Sequence, residues 1–460
     1  MTFMRQASFI ATFHEDKAFL KSFLLLSLPI GLQSMLTSIT NTFASLMVGQ
    51  LGDLQVSAVS LAGQVFFILN LMIVGIVSGS TIFLSQYYGK GDQHNLKIAS
   101  AVAFALVLAV SALFTLIGLL FPAEVLHIFS NEQEVVEQAA NYLQTVCISY
   151  LPTGLSLACT MIYRNIGRAG LPLRITLLTI IIDIILSYML IFGYAGLPVL
   201  GIQGAAVAIV IARTIEMLIT TSILYSKFRS FAPTLRDLFS AKKEFLAVFF
   251  KTSAPVILNE TVWSIGYALY SVVFYHMGYA VGAAVGIAKV LEQLLIALFI
   301  GTGQAAAIIL GQTIGEGKPE KAPYYSNRMA TYTALGGVLL GIIMMTCVPL
   351  FLNLYQGISQ EVRDTIVLIV IYLAVIMPVK GMNFIHIMGT LRAGGDTKMC
   401  FIIDNVALWC VSLPLTFLTG YALNLGIEIV FLFVILDDLF KFTLVRIRIR
   451  GNKWIHNLVE

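Results

Sequence analysis

The segment TLRAGGDTK, residues 390–398, is polar and glycine-rich and lies between two long apolar stretches. A related segment, IGRAGLPLR, occupies residues 166–174 and is also flanked by apolar stretches. Charged side chains are costly inside a membrane, so each segment is expected to form a turn at a membrane surface. An Arg-Ala-Gly turn that occurs both at Arg168 and at Arg392 predicts that the chain contains an internal repeat.

The chain around these segments is strongly apolar. Of its 460 residues, 58% are hydrophobic and only 11% are charged, and the mean hydropathy is +0.89. A soluble protein carries about a quarter charged residues. The apolar runs are about 20 residues long, which is enough to cross a bilayer, and they are continuous rather than alternating, which favours helices over a barrel. We therefore predict an all-α polytopic membrane protein whose surroundings are the lipid bilayer.

Twelve membrane spans are predicted, and the charges of their loops predict the orientation. The loops on the side of the N-terminus hold 23 of the 28 lysine and arginine residues, and the opposite loops hold only Arg363. Because basic loops stay in the cytoplasm, both termini are expected to be cytoplasmic, in a multi-pass protein of the cell (inner) membrane. The predicted spans are 20–47, 55–86, 96–121, 134–164, 173–194, 202–226, 245–275, 281–312, 327–352, 361–390, 398–420 and 426–447.

The recurring turn belongs to a longer repeat. The stretch 28–92 aligns with 254–318 without a gap, and 16 of 65 positions are identical, Pro29 and Pro255 among them. A slightly different register then aligns Arg168 with Arg392. We therefore predict two pseudo-symmetric six-helix lobes, which share the direction of insertion as in one class of transporters. Their predicted limits are 1–226 for the first lobe, 227–244 for a cytoplasmic linker, and 245–460 for the second lobe with its basic tail.

The order and spacing of several motifs resemble those of the multidrug and toxic compound extrusion (MATE) family, in its bacterial branch. These motifs are LMVGQLGD at 46–53, QYYGKGD at 86–92, LIFGYAGLPVLGIQGAAVA at 190–208, LRAGGDTK at 391–398 and the tail NKWIHNL. The resemblance implies a V-shaped cleft between two six-helix lobes. It also implies secondary active antiport by alternating access, in which organic, often cationic, small molecules leave in exchange for inward H⁺ or Na⁺.

The resemblance carries over only some of the family's acidic positions. Glu260 matches the glutamate of span 7, whereas Ala44 stands where span 1 often has an aspartate. Span 5 reads Asp183 and Ser187 where a common pattern has an asparagine followed by an acid. An acid that some members have in span 10 is not matched by PVKGMNFIH. The resemblance therefore implies cation binding at Glu260, with one acid, Asp183, left in the first lobe.

Ionisable residues within the spans are candidate functional residues, because a membrane-buried charge must be paired, neutralised or functional. We predict cation or proton coupling at Glu260, Asp404 and Asp183. The repeat offers a comparison, since several charges of the second lobe align with uncharged residues of the first lobe. These pairs are Glu260 with Ser34, Lys289 with Gly63, Glu292 with Phe66, and Asp404 with Ile180. The chemistry is therefore expected in spans 7 to 12.

Other polar residues are candidates for supporting roles. Lys289, Glu292, Lys380 and His386 could act as counter-charges or proton relays. Residues three or four apart on a helix can pair along one face, which predicts the structural pairs Lys289–Glu292, Arg213–Glu216 and Asp437–Lys441. Trp263, Tyr267 and Asn259 are predicted to line the substrate cavity, with helix packing as the alternative. For Glu260, the structural alternative is a static ion pair with Lys289, with Lys380 or with another helix.

Several function classes are disfavoured by missing motifs. The sequence has no GxxxxGK[ST] motif, no HExxH motif, and no metal-type spacing of its five cysteines. We therefore expect neither an enzyme nor a cofactor other than the coupling ion, and no nucleic-acid partner. The main alternative is a flippase for lipid-linked oligosaccharides, which commonly binds pyrophosphate through several arginines. The spans here contain one clear arginine, Arg213. We expect a monomeric antiporter, with H⁺ and Na⁺ both open as coupling ions.

Overall fold

A computed structural model describes residues 2–353 and 358–459, with side chains described from Lys17 onward except those of Asn41 and Ala195. The described chain is helical almost throughout, and its one β-bridge joins Gly395 and Ile455. The helices are α1 (Thr2–Gly49), α2 (Asp53–Lys90), α3 (Gln93–Leu120), α4 (Pro122–His127), α5 (Gln133–Val146), α6 (Tyr150–Asn165), α7 (Gly170–Phe192), α8 (Ile202–Lys227), α9 (Leu235–Phe239), α10 (Lys243–His276), α11 (Tyr279–Gly315), α12 (Ala322–Leu352), α13 (Gln360–Asn383), α14 (Thr397–Asn405), α15 (Leu413–Phe417) and α16 (Ile427–Arg450).

The prediction of an all-α protein with many membrane spans is confirmed. Within the described residues, 11 helical stretches are long and apolar enough to cross a membrane, and they correspond to predicted spans 1 to 11. The twelfth predicted span corresponds to α16, which has 24 residues and is therefore long enough to span. It differs from the others in its higher charge, because it carries Asp437, Asp438 and Lys441 near its middle.

Two of the spans contain π-helical segments. Helix α13 continues directly into a π-helix over Phe384–Leu391. The eleventh span alternates α14 and α15 with π-helices over Val406–Ser412 and Leu418–Ala422. Because π-helical turns occur frequently at functional sites, these irregular segments mark the second half of the chain as the half to search.

The described helices form two compact units. One contains the residues up to Ser34 together with Val262–Leu458, and the other contains Met35–Thr261 together with Val459. The boundaries therefore fall inside α1 and α10, whereas the sequence predicts the limits 1–226, 227–244 and 245–460. The difference arises because the beginning of α1 packs on α11, and the beginning of α10 packs on α2.

These two packings are the same contact in the two halves of the repeat. A Cβ on Gly75 would lie 2.8 Å from Cα of Ile257, and a Cβ on Gly301 would lie 2.4 Å from the backbone nitrogen of Gly31. The register that aligns Pro29 with Pro255 also aligns Gly75 with Gly301 and Gly31 with Ile257. The beginning of α1 therefore belongs to the unit that contains Val262–Leu458, and the beginning of α10 belongs to the unit that contains Met35–Thr261. In each contact a glycine permits the close approach of the two helix backbones.

The Arg-Ala-Gly turn needs a corrected alignment. Gly167 and Gly395 have φ values of 76° and 75°, in the left-handed region that favours glycine. The N–H of the next residue donates to a helix carbonyl five residues earlier in both turns, from Arg168 to Tyr163 at 2.8 Å and from Asp396 to Leu391 at 2.9 Å. Gly167 is thus equivalent to Gly395, and the predicted alignment of Arg168 with Arg392 is wrong because it followed residue identity rather than backbone conformation.

The corrected alignment shows that the second half gains residues before its turn. Pro152 aligns with Pro378 in the register of the main repeat, and the turn glycines Gly167 and Gly395 are then out of that register by two positions. Two extra residues therefore lie between Pro378 and Gly395, and the π-helix Phe384–Leu391 lies inside this interval. A π-helix takes more residues per turn than an α-helix, and this accounts for the two added residues.

The turn of the second half is covered by the end of the chain. Trp454 is fully buried and packs against Gly394, where a Cβ would overlap the Trp454 backbone. The His456 N–H donates to the Gly394 carbonyl at 2.9 Å, and Arg448 Nε donates to Asp396 Oδ2 at 2.6 Å. The segment after α16 is thus fixed to the turn by packing and hydrogen bonds.

Candidate ion-coupling site

Six charged side chains meet inside the unit that contains Val262–Leu458. They come from four helices and form what is called here the acid–lysine cluster. Each of its two lysines bonds two carboxylates, and the two parts of the cluster are joined by neighbouring aspartates of α16. Its members are Glu292, Lys380, Asp404, Asp437, Asp438 and Lys441.

The first part of the cluster is centred on Lys380, two residues after Pro378 in α13. Its Nζ lies 2.6 Å from Glu292 Oε1 and 3.3 Å from Asp438 Oδ2. The Glu292 side chain is only 3% exposed. The predicted helix-face pair of Lys289 with Glu292 is therefore wrong, because Glu292 forms its ion pair with a different helix.

The second part is centred on Lys441 in α16. Its Nζ lies 2.8 Å from Asp437 Oδ2 and 2.9 Å from Asp404 Oδ1, which confirms the predicted Asp437–Lys441 pair and adds Asp404 to it. Among the described residues, Asp437 Oδ1 has no hydrogen-bond partner although it is buried. This oxygen is available to hold a proton, because a protonated carboxyl needs one unoccupied oxygen.

The cluster is not balanced in charge. With every member ionised, its four carboxylates and two ammonium groups leave an excess of two negative charges. An uncompensated charge at membrane depth costs several kcal/mol. Uptake of a proton or a cation would reduce that cost, so the arrangement is suited to binding and releasing a positive ion.

Lys289 occupies an aromatic environment instead of an ion pair. Its Nζ lies 4.5 Å from the ring centroid of Tyr267 and 5.8 Å from that of Phe274. Trp263 stacks on Tyr267 with the ring centroids 5.1 Å apart. Lys441 Nζ approaches Trp263 to 5.9 Å, so this aromatic row connects Lys289 with the acid–lysine cluster. The predicted roles of Trp263 and Tyr267 in substrate binding stay predictions.

Glu260 and Asn259 belong to the other unit. They lie close to the end of the part of α10 that packs within Met35–Thr261. Asn259 is buried, and Glu260 is half-buried. The structure therefore assigns Glu260 to a different unit from the acid–lysine cluster, and its coupling role, like the cavity role of Asn259, stays a prediction.

A smaller polar group surrounds Asp183 in the unit of Met35–Thr261. Ser187 Oγ donates to Asp183 Oδ1 at 3.4 Å, and the positive charge of Arg213 acts on the same carboxylate. The predicted Arg213–Glu216 pair is confirmed, with 2.7 Å between Nη1 and Oε2. Thr176 Oγ1 donates to the other oxygen of Glu216 at 3.0 Å. Asp183 is half-buried beside this pair, and its coupling role stays a prediction.

The charged groups around Glu216 and around Lys441 occupy equivalent positions in the repeat, but their charges have opposite signs. Helices α8 and α16 begin directly after Gly201 and Gly426, and aligning these glycines aligns Arg213 with Asp438 and Glu216 with Lys441.

The partners of these residues are equivalent as well. The turn alignment of Gly167 with Gly395 matches Thr176, the partner of Glu216, with Asp404, the partner of Lys441. The predicted alignment of Asp404 with Ile180 is therefore wrong, although its corrected equivalent, Thr176, is also uncharged. The charges of the first half, Arg213 and Glu216, lie at the positions equivalent to Asp438 and Lys441.

His386 is placed in the π-helix that follows α13. Its side chain is fully buried, and neither ring nitrogen has a hydrogen-bond partner in the part of the chain that the structure describes. Asn383 lies one turn earlier and donates from Nδ2 to the Asp438 backbone carbonyl at 2.9 Å. The structure thus brings His386 into the helix that carries Lys380, without an ion pair of its own.

Sequence reasoning missed Asp438 and treated Asp437 only as the partner of Lys441. Both aspartates are cluster members because they lie on α16 opposite α13 and α14. A signal was present, since LDDLFK at 436–441 places three charges near the middle of a predicted span. Such a density of charge in a span indicates function more strongly than a single spaced pair does.

Comparison with known proteins finds similarity over most of the chain. The MatE family profile matches twice, at residues 29–189 and 255–418, and the two matches begin at Pro29 and Pro255, which the repeat aligns. An uncharacterized transporter, YisQ, of Bacillus subtilis is 27% identical over 98% of this chain and 99% of its own length. A probable multidrug resistance protein, NorM, of Agrobacterium fabrum is 26% identical over 88% of each chain.

Solved structures agree in fold. An outward-facing multidrug resistance MATE family transporter of the MOP superfamily superposes with a TM-score of 0.85 at 19% identity, covering 94% of this chain and 96% of its own. A MOP superfamily transporter from Pyrococcus furiosus gives a TM-score of 0.85 at 18% identity, with the same coverage. Family profile, full-length relatives and fold agree: the chain belongs to the MatE family of multidrug and toxic compound extrusion transporters.

Proposed function

We propose that the protein is an antiporter that exports small organic, often cationic, compounds in exchange for inward protons, by alternating access of its two lobes. The observation that carries this proposal is the acid–lysine cluster, whose carboxylates outnumber its ammonium groups within helices predicted to span the membrane. The full-length relatives that are described as probable multidrug resistance proteins support an organic substrate.

A proton fits the cluster better than a sodium ion. Each of the four carboxylates already bonds a lysine. A hard cation needs several oxygen ligands at once, which would require these bonds to open, whereas a proton needs a single oxygen such as Asp437 Oδ1. Protonation of Asp437 would weaken its bond to Lys441 and leave that lysine to Asp404. The exchange of partners gives two states of the cluster, and two states are what alternating access requires.

Glu260 is proposed as the second titrating acid. It is half-buried in α10, one turn beyond the proline that α10 shares with α1 in the repeat. A carboxylate in that place can bind either a proton or a cationic group of the substrate, so that uptake of one releases the other. Asp183 is proposed as a weaker site of the same kind in the first lobe.

The test is dye transport by purified protein in liposomes, under an imposed pH gradient and then under an imposed sodium gradient. We expect ethidium to accumulate in vesicles with an acidic interior and not in vesicles that differ only in internal sodium. Asp437→Asn and Glu260→Gln should each reduce the pH-driven rate by about a hundredfold, as expected when a positioned acid or base is lost. Glu132→Gln, an exposed acid between spans, is the control and should transport normally.

Three results would contradict the proposal. Accumulation driven by sodium alone would replace H⁺ by Na⁺ as the coupling ion. Normal pH-driven transport by both acid variants would remove these residues from the mechanism. Movement of a lipid-linked oligosaccharide across the bilayer, without dye transport under either gradient, would identify a flippase.

A further inference from the structure

The helix that carries Lys380 also carries a line of polar side chains towards the Arg392 turn. Lys380, Asn383, His386 and Thr390 follow each other at spacings of three, three and four residues, which keeps them on one side of a helix. The line begins in α13 and continues through the π-helix Phe384–Leu391. It therefore runs from the acid–lysine cluster to the predicted cytoplasmic surface.

The upper end of the line is bonded to the cluster. Lys380 bonds Glu292 and Asp438, and Asn383 Nδ2 donates to the Asp438 backbone carbonyl at 2.9 Å and approaches its Oδ1 at 3.4 Å. Asn383 Oδ1 is buried and has no hydrogen-bond partner among the residues described. A vacant acceptor thus lies one helix turn before His386.

The middle of the line is His386. A neutral imidazole has one N–H donor and one acceptor nitrogen, and leaving a buried polar group unsatisfied costs about 1–3 kcal/mol. Neither ring nitrogen of His386 has a hydrogen-bond partner among the described residues, and the side chain is 0% exposed. Packing alone would favour an apolar residue there. The residue aligned with it in the first half, Thr160 in the register of Pro152 and Pro378, is not ionisable.

The lower end of the line consists of two hydroxyl groups. Thr390 Oγ1 and Ser326 Oγ of α12 are hydrogen-bonded at 2.7 Å, and Thr390 Oγ1 also donates to the Ile385 carbonyl at 3.1 Å. Arg392 follows two residues later, where the chain turns at the predicted cytoplasmic surface. Hydroxyl groups both donate and accept hydrogen bonds, so this pair can pass on a proton.

Charged and titratable groups are present on every element that packs against the π-helix. The group whose charge acts directly on His386 is Arg446 of α16. Glu292 of α11 and Asp404 of α14 are bonded to the two cluster lysines. Other titratable or charged residues on these helices include Asp437, Asp438 and Lys441 of α16, Lys289 of α11, Cys400 of α14, and Tyr325, Arg328 and Tyr332 of α12.

We infer that His386 relays protons between the acid–lysine cluster and the cytoplasmic end of α13, with Asn383 holding Asp438 in position on one side and the Thr390–Ser326 pair accepting the proton on the other. One ring nitrogen accepts the proton of a protonated cluster carboxyl, while the other ring nitrogen gives its own proton to Thr390 Oγ1. Thr390 in turn passes its hydroxyl proton to Ser326 Oγ, which releases its own towards the cytoplasmic end. The ring gains and loses one proton, and its return to the first tautomer completes the cycle. This inference rests on the proposed proton antiport and names the route of that proton.

The test separates proton movement from substrate movement. Purified protein in liposomes is assayed for ethidium uptake driven by a pH gradient, and for ethidium exchange at equal pH on both sides, which needs no net proton transfer. His386→Leu should lower the pH-driven rate by about a hundredfold and leave the exchange rate within about twofold of the wild type. His386→Gln keeps hydrogen bonding without titration and should fall close to His386→Leu. Thr160→Val, in the equivalent helix of the first half, is the matched control and should leave both rates unchanged.

Three other results would each overturn the relay, for different reasons. A His386→Leu variant with wild-type pH-driven uptake would overturn the relay and leave the proposed antiport intact. Equal loss of both activities, together with a lower unfolding temperature, would assign His386 a structural role and also overturn the relay. A wild-type protein that shows exchange but no pH-driven uptake would refute the proposed antiport, and the relay with it.

Discussion

Lys380 and Lys289, both in the unit that contains Val262–Leu458, have different kinds of partner. Lys380 neutralises Glu292 and Asp438, whereas Lys289 lies over aromatic rings. Removing one partner of a buried ion pair leaves an uncompensated charge, which costs about 3–5 kcal/mol. Removing a cation from an aromatic ring costs about 0.5–2 kcal/mol. The two lysines should therefore differ in their importance for stability.

We predict that Lys380→Met lowers the stability of the purified protein by about 3–5 kcal/mol, and that Lys289→Met lowers it by no more than about 2 kcal/mol. Thermal unfolding in detergent measures both. The double variant Lys380→Met with Glu292→Gln should recover part of the loss, because the stranded carboxylate is removed. If Lys289→Met were the more damaging change, the ion partner of Glu292 would be Lys289, as helix spacing alone suggests.

The sequence shows which charges lie within the predicted spans, but not which of them form ion pairs with each other. Glu292, Lys380 and Asp404 are conspicuous because they lie within apolar runs. Spacing along one helix predicted the pairs Arg213–Glu216 and Asp437–Lys441 correctly. It failed for Glu292, whose partner is on another helix far along the chain, because contacts between helices depend on rotations that a single sequence does not encode locally.

At the scale of helices, close packing at glycine determines how the first helix of each half is held. A Cβ on Gly301 of α11 would lie 2.5 Å from the Ser27 carbonyl oxygen and 2.6 Å from Gly31 Cα. These are backbone atoms, so relief requires a shift of α1 as a whole. Overpacking of this kind costs about 1–3 kcal/mol.

We predict that Gly301→Ala destabilises the protein by about 1–3 kcal/mol through separation of α1 from α11. The matched control is Gly286→Ala in the same helix, where an added Cβ meets nothing within 4 Å. Alanine is the better helix former, so the control should be neutral or stabilising by up to about 1 kcal/mol. Unfolding temperature and size-exclusion profile check both variants, and equal behaviour of the two would argue against a close α1–α11 contact.

The π-helix illustrates what sequence alignment of the two halves cannot provide. The recurring Arg-Ala-Gly letters suggested that the second half is slightly shorter before its turn, whereas the glycine conformations show that it is slightly longer. Residue identity over three positions is weaker than backbone geometry, because a left-handed glycine fixes where a helix ends. The added residues lie in the segment that contains His386.

At the scale of the whole chain, the two halves of the repeat carry charged residues at equivalent positions, but the signs of these charges are reversed. Arg213 and Glu216 in α8 become Asp438 and Lys441 in α16, so duplicated helices present opposite charges at equivalent depths. The first half holds one self-contained ion pair beside Asp183, and the second half holds an excess of acids. A duplicated scaffold can in this way keep one half for structure and adapt the other to bind a positive ion.

The same charges make the twelfth span the one whose insertion most needs a test. Helix α16 is long enough to cross the bilayer but is more highly charged in its central stretch than the other 11 spans of the described chain. Its central charges are paired, since Lys441 bonds Asp404 and Asp437 and Asp438 bonds Lys380, and pairing lowers the cost of burying them. We therefore predict that α16 spans the membrane and that the segment after it lies in the cytoplasm.

Cysteine labelling in intact cells checks this prediction. In a Cys410→Ser background, which removes the one exposed native thiol of the described chain, a membrane-impermeant maleimide should label Ser130→Cys between spans 3 and 4. It should label Asn452→Cys only after the cells are permeabilised, like Ser240→Cys in the basic segment before α10. If Asn452→Cys reacted in intact cells while Ser240→Cys did not, α16 would not cross the membrane, and the acid–lysine cluster could not lie at membrane depth as the coupling mechanism requires.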